Sequence, residues 1–278
     1  MTVPINKPIR IFSISKYATE KRVLKEDQVV VEEPLQIILC GEAEKKSFES
    51  ILTITMRTPG NDQQLAIGLL LSEGIISSKK DIQSFEAVEN QMSVYLSPGI
   101  SPELDKINRF QISQSSCGIC GKTSLAALEI LNPPQIPEMD HFLQPEIIKN
   151  LPQSLKPHQK LFHQCGGIHA SALFDKTGKF IHCCEDIGRH NALDKLLGHL
   201  CTQNHAKNGT DIIVLSGRAS FELVQKCIMG GYAVIVAVGA PSSLAIQAAQ
   251  RFNITLCGFV SEQAFNVYTG EWRLKVPK

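Results

Sequence analysis

The feature that most constrains the fold is an alternation of short apolar runs and helix-forming segments in the last third of the chain. Short strands separated by helices of about ten residues form parallel sheets through right-handed crossovers. The pattern predicts strands at Ile212 to Leu215, Ala233 to Val238 and Ile254 to Phe259, with helices at Asn191 to Leu200, Ser220 to Met229 and Ser243 to Phe252. The C-terminal half is therefore expected to be an α/β layered domain.

The region before this alternation predicts a hairpin and a linker. Ile168 to Phe174 and Lys179 to Cys184 form the hairpin, across the turn Asp175-Lys-Thr-Gly. The preceding stretch, between Asn132 and Pro157, carries five of the fourteen prolines before Pro157 itself and a short amphipathic helix around Glu146 to Leu155. These signals divide the chain into a β-rich N-terminal domain over 1–132, a linker over 133–157 and an α/β domain over 158–278.

The N-terminal part has the composition of an α+β unit. After a loosely held arm or edge strand of twenty-five residues, Gln28 to Leu39 and Ser47 to Thr58 are expected to pair as antiparallel strands. A helix over Gln64 to Glu73 follows, with Asn61 as its N-cap and Gly74 just past its end. Further elements are a hairpin turn over 88–95, a short strand over 107–112 and a helix over 124–131.

Composition excludes several classes of protein. The 278 residues carry a net charge of +1, which gives no overall field to hold nucleic acid. The N-terminus has no apolar signal region and no run of about 18 apolar residues occurs, so we expect a cytoplasmic protein without a membrane span. The nine cysteines are an odd number in a reducing compartment and are interpreted mainly as buried thiols, among them Cys40, Cys201, Cys227 and Cys257.

The pair Cys117-Gly-Ile-Cys120 is the sharpest local signal. It is flanked by glycines, lies just before a predicted helix and has Lys122 beside it, features that favour the thiolate over the thiol. Four interpretations stay open from spacing alone: half of a zinc site, a redox dithiol, a sulfur carrier that holds a persulfide, and a loop with two thiols.

Several specific chemistries lack a required residue. Zinc needs two further ligands, and only the isolated His169, Cys183 and Cys184 could supply them. A zinc deaminase needs a glutamate two residues after its histidine, where this chain has Ser171. The Gly-Lys-Thr at 121–123 is no phosphate-binding loop because position 116 is Ser116, and no dinucleotide fingerprint occurs.

A second constellation lies where strands give way to helices. The string from Glu185 to Gly198 places Asp186, Arg189 and His190 at one such junction, and Arg218 lies at the next. With His169 they predict a polar pocket for phosphate and a nucleobase, formed by two neighbouring parallel strands. The alternative is a solvated, charge-paired helix start.

The chain resembles the formate dehydrogenase accessory sulfurtransferase family, FdhD/NarQ, over about residues 25 to 275. The resemblance is carried by Leu71-Ser-Glu-Gly-Ile-Ile, Cys117-Gly-Ile-Cys-Gly, Gly167-Ile-His-Ala, Glu185-Asp-Ile-Gly-Arg-His-Asn-Ala-Leu-Asp-Lys-Leu-Leu-Gly, Ser216-Gly-Arg-Ala-Ser and Val267-Tyr-Thr. It implies a cytidine-deaminase-like α/β fold without the zinc, and a homodimer. It also implies a protein that accepts persulfide sulfur from a cysteine desulfurase. The sulfur would pass to the molybdenum or tungsten bis-pterin guanine dinucleotide cofactor of the formate dehydrogenase catalytic subunit.

The resemblance also implies roles for individual residues. Cys117 matches the persulfide-bearing position, and Cys120 is its partner in transfer. The family's cofactor segment matches the residues that follow the last parallel strand: Phe259, Val260, Ser261, Glu262, Gln263 and Ala264. The family has a basic element in this segment, whereas this chain has Glu262, Gln263 and Ala264. Phosphate contacts are therefore expected to rest more heavily on Arg189 and Arg218.

These observations lead to one main expectation and two alternatives. The main expectation is a sulfurtransferase that binds Mo-bis(molybdopterin guanine dinucleotide) as a substrate, anchors it by a GDP-like end and holds no zinc. The alternatives are a non-catalytic cofactor-binding chaperone for formate dehydrogenase and a thiol redox switch.

Overall fold

The computed structural model describes residues 7–18, 21–43, 46–100, 125–206 and 209–275. Its strands are β1 Ile9–Ala18, β2 Lys21–Val30, β3 Glu33–Ala43, β4 Lys46–Arg57, β5 Ile82–Val88, β6 Gln91–Leu96, β7 His169–Phe174, β8 Phe180–Asp186, β9 Ile212–Leu215, β10 Val234–Ala237, β11 Thr255–Gly258 and β12 Asn266–Thr269. Its α-helices are α1 Asp62–Ser72, α2 Leu125–Ile130, α3 Pro145–Leu155, α4 Lys160–Cys165, α5 Arg189–Thr202, α6 Phe221–Gly230 and α7 Ser243–Arg251.

A six-stranded sheet forms the centre of the C-terminal half, in the order β12-β11-β10-β9-β7-β8. Strands β9, β10 and β11 are parallel, as the alternation of short strands and helices predicts. Strand β7 is antiparallel to both β8 and β9, and β12 is antiparallel to β11. The sheet is therefore mixed, with its parallel part in the middle.

Helices cover both faces of this sheet. Side chains of α5, α6 and α7 pack in one buried cluster with one face of the strands, joined by Leu128 of α2. On the opposite face, Ile148, Leu151 and Leu155 of α3 pack with Phe174 and the other strand residues. The proline-rich stretch assigned to a linker thus contributes a helix to the core, while the domain boundaries themselves stay a prediction.

The N-terminal half contains a four-stranded sheet in the order β4-β3-β6-β5, with α1 packed on it. Helix α1 is buried over Leu65 to Ser72, as expected for a helix that is apolar on all sides. Its other side lies on α5, and the two backbones nearly touch. A Cβ on Gly68 would overlap the carbonyl of Asp194, and one on Gly198 would overlap the carbonyl of Gln64. Only glycine permits this approach.

Two sequence expectations for this half need correction. The strand expected over Gln28 to Leu39 is two strands, because the chain changes sheets near Val31: β2 pairs with β1, whereas β3 pairs with β4 and β6. Of the two alternatives for the first twenty-five residues, the strand is the one observed from Ile9 on, where β1 and β2 pair as a regular hairpin. Asn61 does precede α1, but at φ 58° its side chain makes no capping hydrogen bond.

Two further findings concern the remaining expectations. The strand expected over 107–112 lies outside the described residues. Among the residues that the structure does describe, no helix has the length and apolar character needed to cross a membrane.

Candidate functional site

The candidate site is a crevice at one edge of the six-stranded sheet. Strands β8 to β11 have their carboxyl ends at this edge, and β7 begins there, since His169 pairs with Asp186 and Ser171 pairs with Leu215. Ligands of open α/β sheets bind beyond the carboxyl ends of strands. The two predicted junctions do share this edge, although the expectation that their strands are neighbours is wrong, because β7 runs between β8 and β9.

His169 lies in the middle of the crevice, half-buried at the start of β7. Burial lowers its pKa, and the positive charges of Arg189, His190 and Arg218 lower it further. The imidazole is therefore neutral at pH 7, with one nitrogen to donate and one to accept a hydrogen bond. A ring of this kind can contact a base edge or a phosphate oxygen.

Arg218 is exposed on the turn that follows β9. The backbone of Gly239 lies so close to Arg218 that a Cβ on Gly239 would be 3.0 Å from the backbone nitrogen of Arg218. The N–H of Gly239 donates to the carbonyl of Gly217 at 2.9 Å. Glycines thus bring the ends of β9 and β10 together and leave the guanidinium at the crevice.

Arg189 is the first residue of α5 and brings a second guanidinium. Its Nε is buried and has no hydrogen-bond partner among the described residues. The N-cap of this helix is Gly188, which offers no side chain to the free backbone N–H groups of the first turn. An unpaired guanidinium nitrogen beside uncapped helix N–H groups is the arrangement that a phosphate or another anion satisfies.

His190 is held by two residues of the next helix. Its Nε2 lies 3.2 Å from Oγ of Ser220 and 2.9 Å from Oε2 of Glu222. Ser220 is the N-cap of α6, yet its hydroxyl makes no capping bond. The hydrogen bond with His190 lowers the pKa of Glu222, which is a carboxylate at neutral pH.

Phe259 follows β11 at the same edge. It is 53% exposed and has a φ of 52°, a conformation that is uncommon for an aromatic residue. Its N–H donates to the carbonyl of Gly239 at 3.2 Å, which joins this turn to the turn after β10, and Gly239 is bound in turn to Gly217 beside Arg218. Strained backbone and an exposed ring are features of ligand-binding turns.

The rest of the predicted cofactor segment divides into two parts. Val260 is buried in the core cluster on one face of the sheet, and its N–H donates to the carbonyl of Ala237 at 3.2 Å. Ser261 and Ala264 close a turn, in which the N–H of Ser261 donates to the carbonyl of Ala264 at 2.9 Å, and Glu262, Gln263 and Ala264 are exposed on it.

Asp186 belongs to the fold rather than to the open crevice. Its carboxylate is fully buried and lies 2.6 Å from Nζ of Lys195. It also accepts hydrogen bonds from the N–H groups of Thr58 and Gly188, at 3.1 and 2.8 Å. Nζ of Lys195 donates in turn to the carbonyl of Thr58 at 2.7 Å. Asp186 therefore connects the two halves of the molecule.

A second buried pair continues this seam between the halves. Nζ of Lys226 donates to both oxygens of Asp194, at 2.9 and 2.8 Å, and the hydroxyl of Ser72 donates to the same carboxylate at 3.0 Å. Burial acts to lower the pKa of Lys226, but the adjacent carboxylate outweighs it and leaves the pKa raised. The alternative interpretation of a solvated, charge-paired helix start is right about the charge pairing and wrong about the solvation, because α5 is buried from Asn191 to Gly198.

Cys117 and Cys120 lie outside the described residues. The segment that contains them is flanked by Ile100, which packs on the N-terminal core, and by Leu128, which packs on the C-terminal core.

The seven described cysteines are free thiols, and five of them are in poor environments for a nucleophile. Burial raises the pKa of Cys184 and Cys257 to about 12, and it raises the pKa of Cys40, Cys183 and Cys227 as well. Cys201, expected in the core, is partly exposed. In the described part of the chain no group of three or more His, Cys, Asp or Glu side chains is placed to hold a metal ion.

Sequence reasoning missed Glu222 and Lys195 as important residues. The only sequence signal for Glu222 was its position in the first turn of a helix, two residues after the N-cap Ser220. Acidic residues are common at this position because they stabilise the helix dipole, so the signal did not indicate a functional role. Lys195 binds a partner 137 residues earlier in the chain, and no local pattern could predict that contact.

The fold and the crevice define a layered α/β protein whose sheet edge gathers two arginines, two histidines and an exposed aromatic ring. A family model described as the FdhD/NarQ family matches residues 30–275. The chain belongs to this family.

Named relatives cover nearly the same length. The chain is 39% identical over 259 residues to the sulfur carrier protein FdhD of Streptomyces avermitilis, which covers 89% of each chain. It is 39% identical over 267 residues to the protein of the same name from Sulfolobus acidocaldarius, covering 96% of this chain and 98% of the relative.

A solved structure supports the fold. The crystal structure of a protein from Desulfotalea psychrophila, which carries the description formate dehydrogenase accessory protein, matches with a TM-score of 0.72. The two chains are 23% identical, and the match covers 96% of this chain and 99% of the other.

Proposed function

We propose that this protein is a sulfur carrier for formate dehydrogenase. In this role it takes persulfide sulfur from a cysteine desulfurase and passes it to the molybdenum or tungsten of a bis-pterin guanine dinucleotide cofactor. The observation that carries the proposal is membership of a family whose relatives, at about 39% identity over most of the chain, are named sulfur carrier proteins. The matches cover 89% and 98% of those two relatives.

Cys117 is the proposed carrier and Cys120 its partner in transfer. The pair is flanked by glycines and followed by helix α2, whereas burial disfavours the thiolate at Cys40, Cys183, Cys184, Cys227 and Cys257. In the loading step the Cys117 thiolate attacks the terminal sulfur of the desulfurase persulfide. The S–S bond of that persulfide breaks, its thiolate leaves, and the new S–S bond holds the sulfur on Cys117.

The crevice is the proposed site for the guanine nucleotide end of the cofactor substrate. The buried Nε of Arg189 lacks a partner among the described residues, which fits a phosphate oxygen as its acceptor. Arg218, His169 and His190 add charged or polar groups, and Phe259 offers an exposed ring for stacking on a base. The cofactor is a substrate here, and the protein binds and orients it.

Three finer expectations belong to this proposal. The helix-covered sheet is deaminase-like, and the protein works in the cytoplasm. It is a homodimer: the β1–β2 hairpin exposes Ile11, Tyr17 and Leu24 at 58, 78 and 73%, apolar surface that a second copy can cover. Sedimentation of the wild-type protein tests the dimer, and a monomer at micromolar concentration contradicts it.

Sulfur loading tests the function directly. The protein is incubated with a cysteine desulfurase and cysteine labelled with radioactive sulfur, and protein-bound label that a thiol reductant releases is counted. Wild type and Cys165→Ala, which removes a partly exposed cysteine outside the motif, are expected to load equally, and Cys117→Ala is expected to lose the label. Cys120→Ala is expected to retain persulfide on Cys117 or to turn over slowly.

The other outcomes identify the alternatives. Equal label on wild type and Cys117→Ala contradicts the assignment of Cys117. A protein that binds GDP but never acquires label is a chaperone for the cofactor, and one that forms only a Cys117–Cys120 disulfide is a redox switch. Metal analysis of the purified protein is expected to find no stoichiometric zinc, and one tightly bound zinc that is lost in Cys117→Ala contradicts the sulfur-carrier assignment.

A further inference from the structure

Four carboxylates lie near the crevice. Glu262 is exposed on the turn after Phe259 and no described residue fixes its side chain. Of the other three, two are already used. Asp186 is buried and bound to Lys195 and backbone N–H groups. Glu185 accepts the N–H of Leu161 on one oxygen at 2.8 Å and that of Phe162 on the other at 2.9 Å, which ties down the start of α4. Neither carboxylate has an oxygen left for a ligand.

Glu222 differs from both. Its side chain is 54% exposed, and Oε2 is bound to His190. No described residue donates a hydrogen bond to its other oxygen, Oε1. The contact with His190 fixes the position of the carboxylate, and Oε1 remains able to accept a hydrogen bond from a ligand at the rim of the cationic crevice.

The chemistry of nucleobases indicates what such an acceptor selects. Guanine presents two adjacent donors, N1–H and the 2-amino group, on its Watson–Crick edge. Adenine presents an unprotonated ring nitrogen at the same place, and an ionised carboxylate can only accept hydrogen bonds. A carboxylate therefore attracts guanine and repels adenine.

We infer that Glu222 determines the preference of the crevice for guanine, with His190 positioning its carboxylate and the two arginines left to the phosphates. The inference rests on the proposed function, which supplies the guanine nucleotide. It adds the residue that reads the base. The net charge of +1 is too small to attract nucleotides in general, so the discrimination must come from contacts of this kind.

Calorimetry with GDP, IDP, ADP and pyrophosphate tests the inference on wild type and Glu222→Gln. IDP differs from GDP only in lacking the 2-amino group. Wild type is expected to bind GDP roughly tenfold more tightly than IDP, because the loss of one hydrogen bond to a charged group weakens binding about tenfold or more. ADP is expected to bind more weakly than IDP. In Glu222→Gln the difference between GDP and IDP is expected to disappear.

Pyrophosphate separates base recognition from structural damage. Removing a negative charge near the arginines is expected to leave pyrophosphate affinity equal or higher. Glu271→Gln is the matched control, because it removes an exposed carboxylate far from the crevice. Glu271 follows the end of β12, and this end lies beside the start of β11, at the edge of the sheet opposite to the crevice. It is expected to behave as wild type.

The failures are distinguishable. If wild type binds neither GDP nor pyrophosphate, the proposed nucleotide site is wrong and the inference falls with it. If wild type prefers GDP and Glu222→Gln keeps the same ratio of GDP to IDP affinity, only the inference is overturned. A loss of pyrophosphate affinity equal to the loss for GDP also overturns it, because it reduces Glu222 to a support for His190.

Discussion

The seam between the two halves and the crevice at the sheet edge differ in how their charges are satisfied, although helix α5 contributes to both. At the seam, Lys195 and Lys226 each contact a buried carboxylate at 2.6 to 2.8 Å. At the crevice, Arg189 has a buried nitrogen with no partner in the described part of the chain, and Arg218 is exposed. Residues only a few positions apart in sequence therefore have opposite environments.

This difference indicates which residues stabilise the fold and which are kept for a ligand. Buried charges that are paired contribute to structure, and breaking such a pair is costly because it leaves a charge without compensation. Polar groups whose hydrogen bonds are incomplete inside the protein can gain them from a ligand. Substitutions at the seam should therefore change stability, and substitutions at the crevice should change binding.

The largest effect is expected for Lys195→Met. The substitution keeps the volume of the side chain but leaves the buried Asp186 carboxylate without its cation, which costs about 3–5 kcal/mol. The free energy of unfolding from a urea titration measures this loss. Arg218→Ala is the crevice control and is expected to change the free energy by no more than about 0.5 kcal/mol. Equal losses in the two variants contradict the comparison.

A smaller loss of stability is expected for Gly68→Ala. The new Cβ overlaps the backbone carbonyl of Asp194, so α1 and α5 must move apart, at a cost on the order of 1–3 kcal/mol. Gly167→Ala is the matched control, since the nearest atom to its new Cβ is 4.0 Å away. If both variants unfold at the same urea concentration, the close approach of the two helices is not as described.

The sequence predicted the C-terminal half well because its signals are local. Strand β9 was placed at its observed bounds, and β10, β11 and the helices α5, α6 and α7 within one or two residues, since each has its own apolar run and turn residues. The crevice residues could be placed for the same reason: carboxyl ends of parallel strands meet at one edge.

What could not be predicted depends on contacts between distant segments. Asp186 looked like a ligand residue because of its neighbours in sequence, and its partner Thr58 is 128 residues away. The break between β2 and β3 occurs because β2 pairs with β1, whereas β3 pairs with β4 and β6. The continuous run of Val and Ile residues gives no indication of this change of partner strand.

The smallest stability effect at neutral pH is expected from a pair of stacked histidines beside the seam, whose contribution changes only as the pH falls. The rings of His182 and His199 have centroids 3.5 Å apart, and burial, together with the charge of His199, lowers the pKa of His182 to about 4. Because the unfolded state binds this proton more readily, stability is complete above about pH 6.5 and falls as the pH decreases towards 4. Melting temperatures between pH 7 and 4 measure the slope. His182→Asn is expected to reduce it, and an unchanged slope contradicts the role of the pair.

The central claim is that the crevice is kept for a guanine nucleotide, and GDP calorimetry on wild type, Arg218→Ala and Arg251→Ala tests it most directly. Arg251 lies at the end of α7, bound to Glu129 and away from the crevice. Loss of one charge-assisted phosphate contact should weaken GDP binding roughly tenfold to a hundredfold in Arg218→Ala, while Arg251→Ala binds as wild type does. Equal affinities in all three proteins, or no binding by the wild type, contradict the claim.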